Sequence, residues 1–273
     1  MNTSRQIGGV DVFVEGEGTR AIVMVHGWPD TYRLWDDQVE FLKARFRCIR
    51  FTLPGFDIAR PRQAHSLDAL VGTLKCVIET TCPAETVTLM LHDWGCLFGY
   101  QFAMRHPALV ERIIGVDVGD AGSRAHVRSM GAKAKAMVFG YQVWLAIAWR
   151  IGGYIGDRMT RAMARALRCP SDPRFVGSNM CYPYYIRWFG AYGSYRRLVR
   201  FEPSWPMLYI YGGRKPFQFH SNAWVEALRQ RPGSQALEFG CGHWVMKSRP
   251  QEFNQAVGAW LGPSGQTPQS AGL

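Results

Sequence analysis

Residues Leu89 to Gly99 read "LMLHDWGCLFG". An apolar run rich in strand formers stops at a His-Asp-Trp-Gly turn and an amphipathic stretch follows, which predicts a buried strand running straight into a helix. A carboxylate, Asp93, stands at the break. A side chain on so sharp a turn projects above the sheet, beside the positive end of the following helix. Gly95, Cys96 and Gly99 keep the helix side small, where the two backbones pass close together. Taken alone, Asp93 also reads as an ordinary helix cap. Its meaning depends on the rest of the chain.

Outward from this stretch, strands and helices alternate. Strand patterns begin with "GGVDVFVEG", continue with "AIVMVHG" from Ala21 and "FRCIRFTLPG" from Phe46, and recur after the turn at "VERIIGVDVGD" from Val110. Helical patterns fill Arg33 to Ala44, Ser66 to Thr80 and Cys96 to His106. Strands joined by helical crossovers imply an α/β fold: a mostly parallel central sheet with helices on both faces. From 121 to 201 the text changes to arginine-studded helical patterns and a tyrosine-rich piece, "NMCYPYYIRWFGAYGSYRR". The alternation then resumes with "PMLYIYGG", a helix near Asn222 to Gln230, "SQALEFG" and a helix from Pro250 to Leu261. The expected organisation is thus a core in two parts, 1–120 and 202–261, an inserted mainly helical cap at 121–201, and a disordered tail at 262–273.

The chain has 273 residues, 47% of them hydrophobic, which suits a globular protein able to bury a sizeable core. The amino terminus has no apolar signal segment. The longest apolar run, Ala136 to Trp149, is too short to span a bilayer, so a cytoplasmic protein without an integral membrane segment is expected. Seven scattered cysteines with no C-x-x-C spacing suggest neither a disulfide framework nor a zinc site. The net charge of +11 concentrates between Arg124 and Arg200, where the only carboxylates are Asp157 and Asp172. No nucleic-acid motif accompanies it. A solvated basic face is the favoured reading, and a weak attraction of the cap to anionic surfaces is the other.

Two further pieces give Asp93 a chemical meaning. In "VMVHGWPD" a strand ends in His26-Gly27-Trp28-Pro29, a turn whose amide at Trp28 can face the site, and the amide of Trp94 supplies a second donor. Together they would form an oxyanion hole. In "GCGHWVMKSRPQEF", His243 sits in a glycine-bracketed loop between the last strand and the last helix. A nucleophile at an elbow followed by a histidine near the end is the chain order of α/β-hydrolases.

The sequence resembles the α/β-hydrolase superfamily, specifically its aspartate-nucleophile branch of epoxide hydrolases and haloalkane dehalogenases. "HGWP" and "HDWG" are similar to epoxide hydrolase motifs. Leu91 departs from the glycine common two residues before the nucleophile, and an apolar residue before His92 is more like the dehalogenases. The resemblance implies a carboxylate that orients His243. Most epoxide hydrolases carry it after the strand that follows the cap, but here "YIYGGRKPFQFHS" has no Asp or Glu, and Lys215 stands in that place. Some relatives place it at the end of the strand before the cap, which nominates Asp117, with Asp120 in reserve. The resemblance also implies two cap tyrosines that acidify the epoxide oxygen. "VFGYQVW" nominates Tyr141, and "GSYRR" nominates Tyr195, with Tyr184, Tyr185 and Tyr192 close by. Trp28, Trp94 and Tyr141 would also line the substrate pocket.

The implied reaction opens a small apolar epoxide to a vicinal diol through an ester on Asp93, hydrolysed by water activated at His243, with no metal or organic cofactor. Its partners would be that substrate and water, and not nucleic acid. A dehalogenase using the same Asp93 and His243 is the rival, with Trp94 and one of Trp144, Trp149 or Trp188 as halide donors. A non-catalytic binding protein on this scaffold is the third reading.

Overall fold

The computed structural model describes residues 2–262, so the expected tail lies outside the described residues except for Gly262. In chain order the elements are β1 (Asn2–Ile7), β2 (Val10–Glu15), β3 (Ala21–Val25), α1 (Asp36–Leu42), β4 (Arg47–Phe51), α2 (Leu67–Thr81), β5 (Val87–His92), α3 (Trp94–Arg105) and β6 (Val110–Val116). There follow α4 (Arg124–Ser129), α5 (Ala132–Ile151), α6 (Gly153–Ala166), α7 (Tyr182–Phe189), β7 (Met207–Gly212), α8 (Asn222–Arg229), β8 (Gln235–Phe239), α9 (Val245–Ser248) and α10 (Pro250–Leu261). Ser66, Ser123 and Ser221 cap α2, α4 and α8 by accepting amide hydrogens of the first turn.

The eight strands form one sheet in the order β1-β2-β4-β3-β5-β6-β7-β8. β1 and β2 are antiparallel, as are β2 and β4, and every other neighbour is parallel. β1 is absent from the sequence pattern because "NTSRQI" is an exposed polar edge strand with no alternating apolar face. The inner strands are buried on both sides, and successive residues divide between two cores, as a period of two requires. Val23, Ile49, Leu89 and Ile113 face α2, α3 and α8; Ile22, Cys48, Met90 and Ile114 face α1, α9 and α10. This is the α/β-hydrolase architecture, with helices on both faces.

Between β6 and β7 the chain runs through α4 to α7. The Tyr182 hydroxyl donates to the Pro54 carbonyl at 2.9 Å, and the Gln101 amide side chain both donates to and accepts from the Val199 backbone, tying this segment to the sheet layer. No helix among the described residues is long and apolar enough to cross a membrane. All seven cysteines are unbridged.

Candidate active site

Three adjacent parallel strands end side by side, and each hands a site residue to its C-terminal edge. β3 leads into the turn with Trp28, β5 into Asp93, and β6 into Asp117. The loop after β8 brings His243 across the top. Asp93 has φ 52 and ψ −121, outside the comfortable range of an L-residue, and Asp117 has φ 65. Such conformations persist only where packing imposes them, and they cluster at functional positions.

The space around Asp93 is cleared by glycine. A Cβ on Gly27 would lie 2.5 Å from the Asp93 Cβ, from Oδ2 and from the Trp94 nitrogen, so the two turns touch only because Gly27 has no side chain. Leu91 is accommodated similarly, since a side chain on Gly99 would run into its isobutyl group. The apolar bulk absent from one partner is present on the other. His26 is a scaffold residue: its Nδ1 donates to the Gly27 carbonyl at 2.9 Å and its Nε2 accepts from the Leu53 amide at 2.9 Å. With both nitrogens used, it clamps the turn that carries the Trp28 amide.

That amide donates to Asp93 Oδ2 at 2.8 Å, and His243 Nε2 lies 3.6 Å from Asp93 Oδ1. Burial alone would raise the Asp93 pKa; the His243 imidazole and the Trp94 amide outweigh it and hold the carboxyl below its usual range. On its far side, His243 Nδ1 donates to Asp117 Oδ2. Asp117 is fully buried, and its Oδ1 accepts from the Gly212 amide at 2.9 Å and from the Lys215 ammonium. Burial pulls the His243 pKa down, but Asp117 and Asp93 together push it up to about 9. Asp120 is not in this network: it accepts from the Ser221 amide at 2.7 Å and from the Ser123 and Ser221 hydroxyls, bracing the loop instead.

A cavity of about 200 Å³ opens over Asp93 and Trp94, lined by Leu97, Tyr141, Tyr184 and Phe219 among others. The Tyr141 hydroxyl sits at the end of a directed chain. The Trp188 indole donates to Gln142 Oε1 at 3.1 Å, and Gln142 Nε2 donates to the Tyr141 oxygen at 3.1 Å. The phenol is therefore an acceptor from the protein, and its proton is left to donate elsewhere. Burial holds Tyr141 and Tyr195 protonated, well above the usual phenol range. Tyr195 is buried with its ring 5.6 Å from that of Trp94, and its hydroxyl has no hydrogen-bond partner; it is not among the cavity-lining residues. Tyr184 is, packed edge-on against Trp28, Trp94 and Tyr141. Nothing in a run of tyrosines tells which one turns inward, so sequence reasoning left Tyr184 as a neighbour. Of the tryptophans considered as halide donors, Trp144 already donates to the Met159 carbonyl and Trp188 to Gln142; Trp149 lies against Tyr185.

Behind His243 is a second buried pair that the sequence did not suggest. The His92 ring lies 4.5 Å from the His243 ring, and its Nε2 donates to the His243 carbonyl at 3.3 Å. Its other nitrogen faces Asp30 Oδ2 at 3.9 Å. Asp30 accepts from the Trp244 indole at 2.9 Å and from the Ser171 hydroxyl. Burial depresses the His92 pKa to about 3 and raises that of Asp30 to about 6. The pair thus packs as uncharged imidazole beside a carboxyl that is easily protonated, and it fixes the backbone of the His243 loop.

The alpha/beta hydrolase family profile matches residues 22–256 of this chain. "Epoxide hydrolase 1" of Caenorhabditis elegans is 28% identical over 266 residues, covering 88% of this chain and 64% of that protein. "Probable oxidoreductase EphD" of Mycobacterium tuberculosis is 30% identical over 125 residues, covering 44% of this chain, and the match spans only 21% of that protein's length. Among solved structures, an epoxide hydrolase from Bacillus megaterium in complex with an inhibitor superposes with a TM-score of 0.71 at 20% identity, covering 95% of this chain and 99% of that one. A haloalkane dehalogenase variant from Bradyrhizobium elkanii superposes with a TM-score of 0.68 at 16% identity, covering 96% of each chain. At these identities the structural likeness is one of fold.

Proposed function

The chain belongs to the alpha/beta hydrolase family, and from that premise we propose that it opens small apolar epoxides to vicinal diols, with Asp93 as the nucleophile. The observation that carries the reading is the pair of contacts on one carboxylate: Oδ2 accepts from the Trp28 amide while Oδ1 lies 3.6 Å from His243 Nε2. An elbow hydroxyl would serve acyl transfer. A carboxylate there can displace a leaving group at saturated carbon and become an ester whose carbonyl belongs to the enzyme.

In the first half of the reaction Oδ1 bonds to an oxirane carbon as that carbon's ring oxygen departs. Tyr141 passes its proton to the departing alkoxide, the step its donor chain through Gln142 prepares. The second phenol is Tyr195, whose buried hydroxyl lacks a protein acceptor, or Tyr184 on the cavity wall. In the second half, His243 Nε2 takes a proton from water and the oxygen adds to the Asp93 carbonyl carbon. The negative charge builds on Oδ2, where the Trp28 and Trp94 amides stabilise it. For this the imidazolium present in the free site first returns its proton through solvent to the phenolate, which is what frees His243 to act as the base. Collapse of the adduct then breaks the ester, the imidazolium formed with the water proton protonates the leaving diol oxygen, and the proton shed by regenerated Asp93 restores the charged His243.

Exposing a His243→Gln variant to an aryl epoxide should leave Asp93 carrying one substrate mass, seen by peptide mass spectrometry. Unmodified Asp93 across a panel of epoxides and bromoalkanes would overturn the enzyme reading in favour of binding. Bromide release without diol formation by the unaltered protein would replace it with dehalogenation, a reading that the engaged indoles of Trp144 and Trp188 do not favour.

A further inference from the structure

The segment from Ala121 to Phe201 carries twelve arginines and two lysines against two carboxylates, a net charge of +12 that exceeds the +11 of the whole chain and leaves the remainder at −1. Both carboxylates are engaged locally, and between them they offset one arginine of the surface. Asp157 accepts from the Ser178 amide and hydroxyl at 2.7 Å, and Asp172 is paired with Arg174. Among the described residues, no carboxylate lies within ion-pair distance of Arg150, Arg158, Arg165 or Arg168. The same segment holds every exposed large apolar side chain of the described residues except Phe41.

The apolar exposure is ordered. Trp144, Ile147 and Ile151 follow one another at helical spacing along α5, and all three are exposed. The chain then turns through Gly152 and Gly153, both at positive φ, and α6 opens with Tyr154 at 73% and Ile155 at 60% exposure. The stripe continues along α6 as Arg158, Ala162 and Arg165, also exposed. Gly156, Thr160 and Ala164 form the buried side of that helix and Met163 packs on the core, while Tyr154 and Ile155 in its first turn face away from the protein. In that first turn the usual amphipathic arrangement of a surface helix is inverted.

We propose that the outer face of α5 and the first turn of α6 dock on an anionic lipid bilayer surface. Aliphatic and aromatic side chains ringed by unpaired arginines are the composition that inserts shallowly among headgroups while the cations meet lipid phosphates and carboxylates. A second copy of this chain does not fit, because two faces that carry Arg150, Arg158 and Arg165 with no carboxylate to offset them would repel. A nucleic acid would satisfy the arginines but leave Ile147, Ile151 and Ile155 against phosphate and water. Docking requires no particular reaction at Asp93.

The test is co-sedimentation of the full chain with phosphatidylcholine vesicles and with vesicles that also contain phosphatidylserine. Binding is expected only to the anionic vesicles and should weaken as salt is raised. Arg150→Gln with Arg158→Gln should weaken it about thirty-fold, because each cation near such a surface contributes roughly a tenfold or smaller share. Ile151→Ser with Ile155→Ser should weaken it comparably with the charge intact, and unchanged melting temperatures would show that both variants fold. Equal binding to both vesicle types, vesicle binding that survives the isoleucine substitutions, or binding to duplex DNA or polyglutamate in preference to vesicles would each overturn the proposal.

Discussion

If the proposed ester mechanism operates, replacing Lys215 with Met should move its hydrolytic half to higher pH while leaving the alkylation half largely in place. In the free site two carboxylates, Asp93 and Asp117, face two cations, His243 and Lys215, and the charges balance with His243 protonated, in keeping with its pKa near 9. Esterification removes the Asp93 charge. Once the imidazolium proton has passed through solvent to the Tyr141 phenolate, the balanced state of the ester with Lys215 present is a neutral imidazole beside the Asp117–Lys215 pair, and His243 is a base. Without Lys215 the balanced state is an imidazolium on Asp117, which cannot take a proton from water.

Lys215 and the imidazole bond opposite oxygens of one carboxylate. Roughly 5 to 6 Å then separates the two cations, and at an effective dielectric constant of about 20 their repulsion is about 3 kcal/mol, or about 2 pH units. Neutral imidazole is the active form, so the rate of ester hydrolysis rises with pH through the His243 pKa, and removing a nearby cation shifts that rise upward. Single-turnover experiments that follow ester and diol separately across the neutral and alkaline range measure both halves. In Lys215→Met the ester should accumulate at neutral pH, with hydrolysis up to about 100-fold slower there and recovering as pH rises; Lys215→Arg should restore the original profile. Burial lowers the Lys215 pKa while the Asp117 charge opposes that, so the ammonium persists while Asp117 is ionised. A hydrolysis rate reduced by the same factor at every pH, or a profile that does not move, would refute the charge argument and leave Lys215 a packing residue.

Gly27→Ala should lower the melting temperature and abolish turnover together, because the new methyl would sit 2.5 Å from both Asp93 and the Trp94 amide; about 1–3 kcal/mol of destabilisation is expected, checked by chemical denaturation. Asp30→Asn should be most favourable to stability at alkaline pH. The folded Asp30 pKa of about 6 lies above its usual value, so its contribution is complete below about pH 4 and is lost as pH rises through 6, by about 3 kcal/mol in all. Unfolding free energies of parent and variant measured at both ends of that window should differ by this changing amount, and a constant difference would count against it. Tyr141→Phe should slow ester formation by about 100-fold or more while leaving hydrolysis of preformed ester little changed. Tyr195→Phe removes a buried hydroxyl that has no partner, so it should not lower the melting temperature; slowed alkylation would make it the second proton donor, and an unaltered rate would transfer that role to Tyr184.

The fold was legible because its signals are local. The switch from strand to helix at His92 to Gly95, the alternation around it and the break in alternation after Asp120 each occupy a few consecutive residues. β1 left no such signal, since an edge strand needs backbone partners and not an apolar face. Asp93 and His243 could be named from chain order, and Asp117 from the resemblance to relatives with the acid before the cap; in the structure the three meet at the C-terminal edge of the sheet. What could not be named depends on direction in space. Four tyrosines between residues 184 and 195 are equivalent as text, and only the turn of α7 decides that Tyr184 lines the cavity. Asp30 and His92 lie 62 positions apart and become a pair only through the adjacency of β3 and β5.

The two departures from the family pattern at the end of the sheet become intelligible as one change. A carboxylate is missing after β7 and a lysine stands there; a carboxylate is present after β6, on the neighbouring strand. Had Lys215 merely replaced the acid, a cation would face His243 and depress its basicity with no compensating charge. With the acid moved one strand over, the same ammonium reaches the far oxygen of Asp117, lends the buried carboxylate a second partner, and divides that carboxylate's charge between two cations. A serine elbow can operate with a histidine that is neutral from the outset. An ester on Asp93 needs a histidine that is charged beside the free carboxylate and basic beside the ester, and Lys215 on Asp117 is the arrangement in this chain that would set that difference.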